Sequence, residues 1–193
     1  MSKLDDIYTF TFKGLLAEQA LDSVGRKSKF LLEHSDEQLA KTLSLDLLDE
    51  SMVQAAQKMA VVYAAVAAFE NSVRSLVSKT LLETKGENWW LETVSEKIRL
   101  QVNQRIEDEK KTRWHTQRGQ DPINYTTLGQ LHSVIHNNWD VFEPYVQNEE
   151  WARGIFDGVE RSRNVIMHSG LLDERDIARL GIFIRDWVKQ VGS

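Results

Sequence analysis

Apolar residues recur along this chain at steps of three and four, the spacing that places them on one face of a helix. The strongest ladder is Met59, Val62, Val66, Phe69, Val73, Leu76 and Leu81. Neither proline nor glycine occurs from Arg26 to Lys85, and Gly86 follows as a natural stop, so one long helix is expected over 49–84. Its middle third, "MAVVYAAVAAF" at 59–69, is apolar nearly all round, which implies a central place in a bundle. Leu15, Leu16, Ala20, Leu21 and Val24 predict an earlier amphipathic helix that Gly25 interrupts, and Phe30, Leu31 and Leu39 predict further turns. Val94, Ile98, Val102 and Ile106 step by four before "EDEKKTRWHTQRGQDPINY" reads as a loop. Thr126 or Thr127 can then cap a short helix carrying Leu128, Leu131, Ile135 and Trp139.

A further helix from about Asn148 carries Trp151, Ile155, Val159 and Ile166 inward and ends at Gly170. Asp173 caps a last helix whose seam is Ile177, Leu180, Ile184, Trp187 and Val191. No segment alternates as a strand does. The expected fold is all-α: a single-domain, elaborated helical bundle over 49–193, with residues 1–48 as a helical extension packed on it.

The chain has 193 residues, enough to bury a sizeable core. It contains no cysteine, which excludes disulfides, thiolate zinc sites and cysteine nucleophiles and is compatible with a reducing compartment. No cationic segment followed by an apolar run opens it, and the 59–69 stretch is about half of what a bilayer crossing needs. A cytoplasmic protein without a membrane partner is expected. The net charge of −5 argues against a general DNA-coating role but permits a small basic cleft on an acidic body.

Conventional sites are sparse. His132 and His136 in "HSVIH" have a spacing that could share a metal, but Ser133 stands where the zincin pattern needs glutamate, so surface or half-buried histidines are the favoured reading and no metal is expected. No glycine-rich phosphate loop occurs. Trp89 and Trp90 could stack on bases, although an aromatic pair just past a helix end more often covers a core.

One segment, "RSRNVIMHSG" at 161–170, gathers Arg161, Arg163, Asn164 and His168. An arginine followed at five by a histidine is weak by itself, and context has to decide. "RNVIMH" at 163–168 resembles the R-N-x-x-x-H form of the R-x4-6-H signature of the HEPN superfamily. "YAAVAAFENSVRSLV" at 63–77 is similar to that superfamily's helix with a glutamate and a basic residue four positions on, here Glu70 and Arg74. "NWWLETVSEKI", "DPINYTTLGQL" and "NNWDVFEP" resemble the Swt-type branch, and the resemblance spans about residues 50–172. The tyrosine found two positions beyond the histidine in HEPN toxins modified by nucleotidyltransferase antitoxins is missing, since Gly170 stands there.

The resemblance implies an all-α, metal-independent endoribonuclease that needs no cofactor, and suggests a toxin-like or antiviral defence role. RNA is cut without a metal when its own 2′-hydroxyl attacks the neighbouring phosphorus. His168 would transfer protons, Arg163 would stabilise the charge growing on phosphate, and Asn164 would orient either group. Glu70 and Arg74 would support them, or form an ordinary helix-edge ion pair.

On an ideal helix at about 100° per residue, Arg161 lies within about 20° of His168 and Arg163 about 140° away. Helix geometry thus favours Arg161 and the resemblance favours Arg163, which is preferred because a shared dimer cleft removes the constraint and Gly170 lets the last turn loosen. Arg161 would then position phosphate. Lys110, Lys111, Arg113, Trp114 and Arg118 offer an RNA approach or a solvated loop, diluted by Glu107, Asp108 and Glu109. The expected partners are RNA, a second copy joined through the signature helices and an unknown regulatory protein. The alternative is a non-catalytic HEPN module that binds RNA or protein.

Overall fold

The computed structural model describes residues 32–192, with side chains from 37 onward. The earlier amphipathic helix expected around Leu15–Val24, and the turns around Phe30 and Leu31, lie outside these residues. The described residues form eight α-helices and no strand, so the fold is all-α.

The chain divides into two compact units, Met1–Val53 and Gln54–Ser193. In the first, α1 (Leu32–Thr42) leads through a 3₁₀ segment (Leu45–Leu47) to the start of α2 (Glu50–Lys85). Asp49 caps α2: its carboxylate accepts from the Ser51 hydroxyl and from the Met52 and Ser51 amides at 3.2 and 3.0 Å, and these bonds, the hydroxyl's first, hold its pKa below the ordinary carboxylate value.

The second unit contains the rest of α2, then α3 (Trp89–Thr93), α4 (Glu96–Lys110), a 3₁₀ segment (Pro122–Tyr125), α5 (Leu128–Asn137), α6 (Trp139–Val146), α7 (Glu149–Met167) and α8 (Glu174–Val191). α7 packs on α5 and on α8, while α4 packs on the Pro122–Tyr125 segment. Phe69 of α2, Phe156 of α7 and Trp187 of α8 meet edge-on or tilted, with ring centroids 5.0–6.1 Å apart. Trp151 stacks on the same Trp187. Such contacts add about 0.5–1.5 kcal/mol per pair to the burial itself.

Helix starts follow their capping residues. Thr127 and Gln130 form a reciprocal capping box on α5, Asn148 Oδ1 accepts from the Trp151 amide at 2.9 Å, and Asp173 Oδ1 accepts from the Asp176 amide at 2.8 Å. Trp89 and Trp90 lie half-buried against the core, as an aromatic cover would.

Four sequence expectations need correction. The middle of α2 is buried along one stripe only: Met59, Val62, Val66 and Phe69 are buried, whereas Val61 is 71% and Tyr63 46% exposed and Ala60, Ala64, Ala65 and Ala68 are exposed too. Alanine satisfies helix propensity on either face, so an alanine-rich stretch does not report burial. By length and composition α2 could also span a bilayer, with mean hydropathy 1.3 over its most apolar 18 residues. The stretch after Ile106 is not all loop either, because α4 runs on to Lys110 and the Pro122–Tyr125 segment buries Ile123 and Tyr125. Trp139 does not belong to the helix carrying Leu128; the chain breaks at buried Asn138, whose side-chain amide donates to Val134 O (2.8 Å) and Thr93 O (3.3 Å).

The fourth correction concerns the end of α7. Gly170 does not loosen it. His168 is the C-cap, Ser169 takes the left-handed conformation (φ 60°), the Ser169 amide donates to Ile166 O at 3.0 Å and the Gly170 amide to Val165 O at 2.8 Å. This is a Schellman turn, with serine in the position glycine usually holds. Glycine is needed one residue later for close approach, since a Cβ on Gly170 would lie 2.7 Å from Val165 Cγ1 and 2.8 Å from its carbonyl oxygen. Gly170→Ala should therefore destabilise the protein by about 1–3 kcal/mol, whereas Ser169→Gly should stabilise it by about 1 kcal/mol by relieving the left-handed strain. Urea unfolding of both variants tests this, and a neutral Gly170→Ala would contradict the close packing of the turn.

Candidate functional site

Four arginines from distant parts of the chain converge on one cleft. α2 contributes Tyr63, Glu70, Asn71 and Arg74, residues spaced to share a face; α4 contributes Arg105, the connection to α5 contributes Arg118 and Asn124–Leu128, and α7 contributes Glu160, Arg163 and Met167. The cleft measures about 520 Å³, within the range of small-ligand pockets.

Glu70 organises it. Its Oε2 accepts from Arg74 Nη2 at 3.1 Å and its Oε1 pairs with Arg163 Nε at 2.8 Å, so one carboxylate fixes two guanidinium groups. Side-chain exposure is 12% for Glu70, 16% for Arg74 and 38% for Arg163, which places the pair on α2 in the drier part of the cluster. Arg74 donates further to Thr126 O at 3.1 Å and to Asn71 Oδ1 at 2.9 Å. Its Nε is buried without a partner.

On the opposite wall Arg105 Nη1 donates to Tyr125 O (2.6 Å) and to Gln130 Oε1 (2.9 Å), locking α4 to the start of α5. Arg118 Nε pairs with Glu109 at 2.7 Å, and its guanidinium lies 5.5 Å over the Tyr125 ring, whose hydroxyl donates to Gly119 O. Four guanidinium groups against the carboxylates of Glu70, Glu160 and Glu109, the last paired with Arg118, leave one excess positive charge at the cleft on a chain of net charge −5. Such a cleft favours an anion.

The residues singled out in the sequence separate into distinct places. Glu70, Arg74, Arg163 and Arg118 come together in the cleft. Arg161, two residues from Arg163 and so on the other side of α7, lines a different cleft between α7 and α8 with Asp157, Asp176 and Arg179. Asn164 is exposed. His168 is also exposed at the α7 C-cap, and it does not line the arginine cleft of its own chain.

Lys110, Lys111, Arg113 and Trp114 lie outside it too. Lys110 pairs with Glu107 at 2.8 Å and Lys111 with Asp108 at 2.7 Å, exposed pairs of the kind that add little stability. Arg113 is exposed, and Trp114 is 86% exposed with its ring edge-on to the His115 ring. His132 and His136 do not face a common centre: His136 Nδ1 meets Glu149, while His132 lies edge-on to Phe156 with a buried, unpartnered Nε2, and burial lowers its pKa below 6.5. Among the described residues, no three His, Asp or Glu side chains group as metal ligands.

Sequence reasoning missed Tyr63, Arg105, Asn124 and Glu160. Glu160 was within reach, since it precedes Arg163 by three and therefore shares its face. Arg105 gave no such signal, because its partners are 20 and 25 residues away.

In comparisons with known proteins, no family model matches the chain, and no curated protein or solved structure matches it either.

The shared carboxylate has a measurable consequence. Glu70→Gln should lower the unfolding free energy by about 1–3 kcal/mol, because it leaves the drier Arg74 without its counter-charge. Arg163→Ala, which removes the more exposed partner, should cost less than about 1 kcal/mol. Equal losses in urea unfolding would contradict the central place of Glu70.

Proposed function

We propose that this chain is a metal-independent endoribonuclease of the HEPN type, with Arg163, Asn164 and His168 as its reacting groups. The observation that carries the reading is the cationic cleft around Arg163. It lies at the helix bearing the R-x4-H signature, and Arg163 is held through Nε alone, so that its Nη donors have no partner among the described residues. Glu70 and Arg74 are the supporting residues that the resemblance implies, and the pairing of Glu70 with both Arg74 and Arg163 supports that role.

In this reading a base removes the proton of the RNA 2′-hydroxyl, the 2′-oxygen attacks the adjacent phosphorus, and the 5′-oxygen leaves with a proton from an acid. The products are a 2′,3′-cyclic phosphate and a 5′-hydroxyl. His168 moves the protons, and Arg163 donates to the phosphate oxygens as charge accumulates there. Arg161, facing the other cleft, is left with a role in binding. A defence or toxin-type effector is the biological role the resemblance suggests.

The test is incubation of the purified protein with total RNA in EDTA, followed by mapping of the ends. His168→Ala should lose about 10²–10⁴-fold in cleavage while melting near wild type. Arg163→Ala should lower kcat by about 10²-fold or more, and Arg161→Ala should mainly raise KM. Undiminished cleavage by folded His168→Ala removes the enzymatic reading. The second reading, a binding module without catalysis, draws on the position of His168 outside its own cleft, and RNA bound but uncut would favour it.

That same position makes the active form a homodimer in which a second copy brings its His168 to the cleft. Exposed apolar residues flank the signature to support such a contact: Val165 is 40%, Met167 52% and Leu171 62% exposed. Light scattering should find a dimer at the concentrations where RNA is cut. Leu171→Asp, at an exposed position that lines neither cleft, should give a folded monomer with at least about 10²-fold less cleavage, the scale of losing a catalytic group. A monomer that cleaves as wild type does would place the whole site in one chain.

A further inference from the structure

The arginine cleft holds two kinds of group left without partners among the described residues, and they make opposite demands on a ligand. The first are donors. Arg163 uses only Nε, Arg118 uses only its Nε against Glu109, Arg105 uses only Nη1, and Arg74 Nε is buried and unpartnered. The second is an acceptor. Glu160 is half-buried on α7 and lines the same cleft, yet it makes no ion pair or hydrogen bond with any of the four arginines. Only Arg74 Nε is buried; the other idle donors and the Glu160 carboxylate reach solvent and are open to a ligand.

A single ligand satisfies both only if it carries a negative charge and also an edge of N–H donors. A simple phosphate or an acidic peptide answers the arginines but is repelled by Glu160. A basic peptide answers Glu160 but is repelled by the arginines. An unpaired nucleotide meets both demands, its phosphate on the guanidinium groups and its base edge on the carboxylate.

The bases differ in what they show. Guanine presents N1–H and the N2 amino group side by side, two donors that match the two oxygens of a carboxylate. Adenine and cytosine each place one amino group next to a ring nitrogen acceptor that would face a carboxylate oxygen. Uracil shows one N–H between two carbonyls. In a duplex these edges are consumed by pairing, and a cleft of about 520 Å³ admits a splayed nucleotide rather than a helix.

We propose that the cleft holds one unpaired guanosine of an RNA strand, with the guanine edge on Glu160 and the phosphate between Arg163 and Arg118. The assignment of the ligand to RNA rests on the ribonuclease reading, whereas the base preference rests on the cleft itself.

The experiment measures fluorescence anisotropy of the His168→Ala protein with labelled oligouridylates carrying one central G, A, C or U. The G oligomer should bind at least about 10-fold more tightly than the others, the discrimination one bidentate base contact provides. Annealing it to its complement should abolish that preference. Glu160→Gln presents one acceptor and one donor, so it should lose the guanine preference and shift it to adenine and cytosine, a change that a merely structural role would not produce. Arg118→Ala should keep the preference and reduce the slope of log affinity against log salt by about 0.7, one phosphate contact on a single strand.

Equal binding of all four oligomers, an unchanged preference in folded Glu160→Gln, or no RNA binding by folded protein would each overturn the proposal. Free GMP competing as well as the oligomer, mole for mole, would also overturn it by moving the site to mononucleotides. Guanine-selective binding without cleavage by the wild-type chain would sink the ribonuclease reading and leave the guanosine site standing.

Discussion

The carboxylate of Glu70 is the constraint on which the rest of the site depends. It interrupts the most apolar helix of the chain, where a charge is tolerated only if it is matched. Each of its oxygens takes one arginine, Arg74 from the same helix and Arg163 from α7. Because Arg74 also reaches the carbonyl of Thr126, this one group holds α2, α7 and the entry to α5 in register. Two guanidinium groups on a single carboxylate leave a positive charge over. The contacts that fix the architecture therefore also leave the cleft cationic.

That double role limits what can vary around Glu70. The Arg105 cluster on the far wall is built differently: its guanidinium bonds to a backbone carbonyl and to Gln130, both neutral, and Gln130 in turn completes the capping box with Thr127. A neutral scaffold on one side and a charge-sharing triad on the other leave the cleft's excess charge concentrated on outward donors. Removal of a neutral partner from Arg105 would loosen the wall, whereas removal of Glu70 would change both structure and field.

Much of the fold was legible because helices announce themselves by period and cap. The buried stripe from Met59 to Leu81, the caps at Asn148 and Asp173 and the seam of Leu180 and Trp187 all fall where spacing put them. The pair Glu70–Arg74 was legible for the same local reason. The contact between Glu70 and Arg163 was not, since it joins helices far apart in the chain and local spacing is silent on which faces meet. Ile123 and Tyr125 were hidden in a polar, proline-containing stretch that reads as loop, yet both are core residues. The alanines of α2 misled in the opposite direction, because a small apolar side chain costs little wherever it points.

The signature itself shows how far helix geometry reaches. Residues two apart on a helix point to opposite sides, and Arg163 and Arg161 accordingly serve different clefts. His168, five residues beyond Arg163, would have been free to swing toward it only if the last turn were loose. The paired bonds of Ser169 and Gly170 back to Ile166 and Val165 close that turn instead. Since Val165 O accepts from the Gly170 amide and Val165 leaves no room for a Cβ at Gly170, the backbone at His168 has little room to rearrange without disturbing α7. A reaction that needs arginine and histidine on one phosphate therefore has to bring the histidine from elsewhere. In the dimer proposed above, that source is the same helix of a second copy, where Val165 and Met167 are exposed beside the histidine.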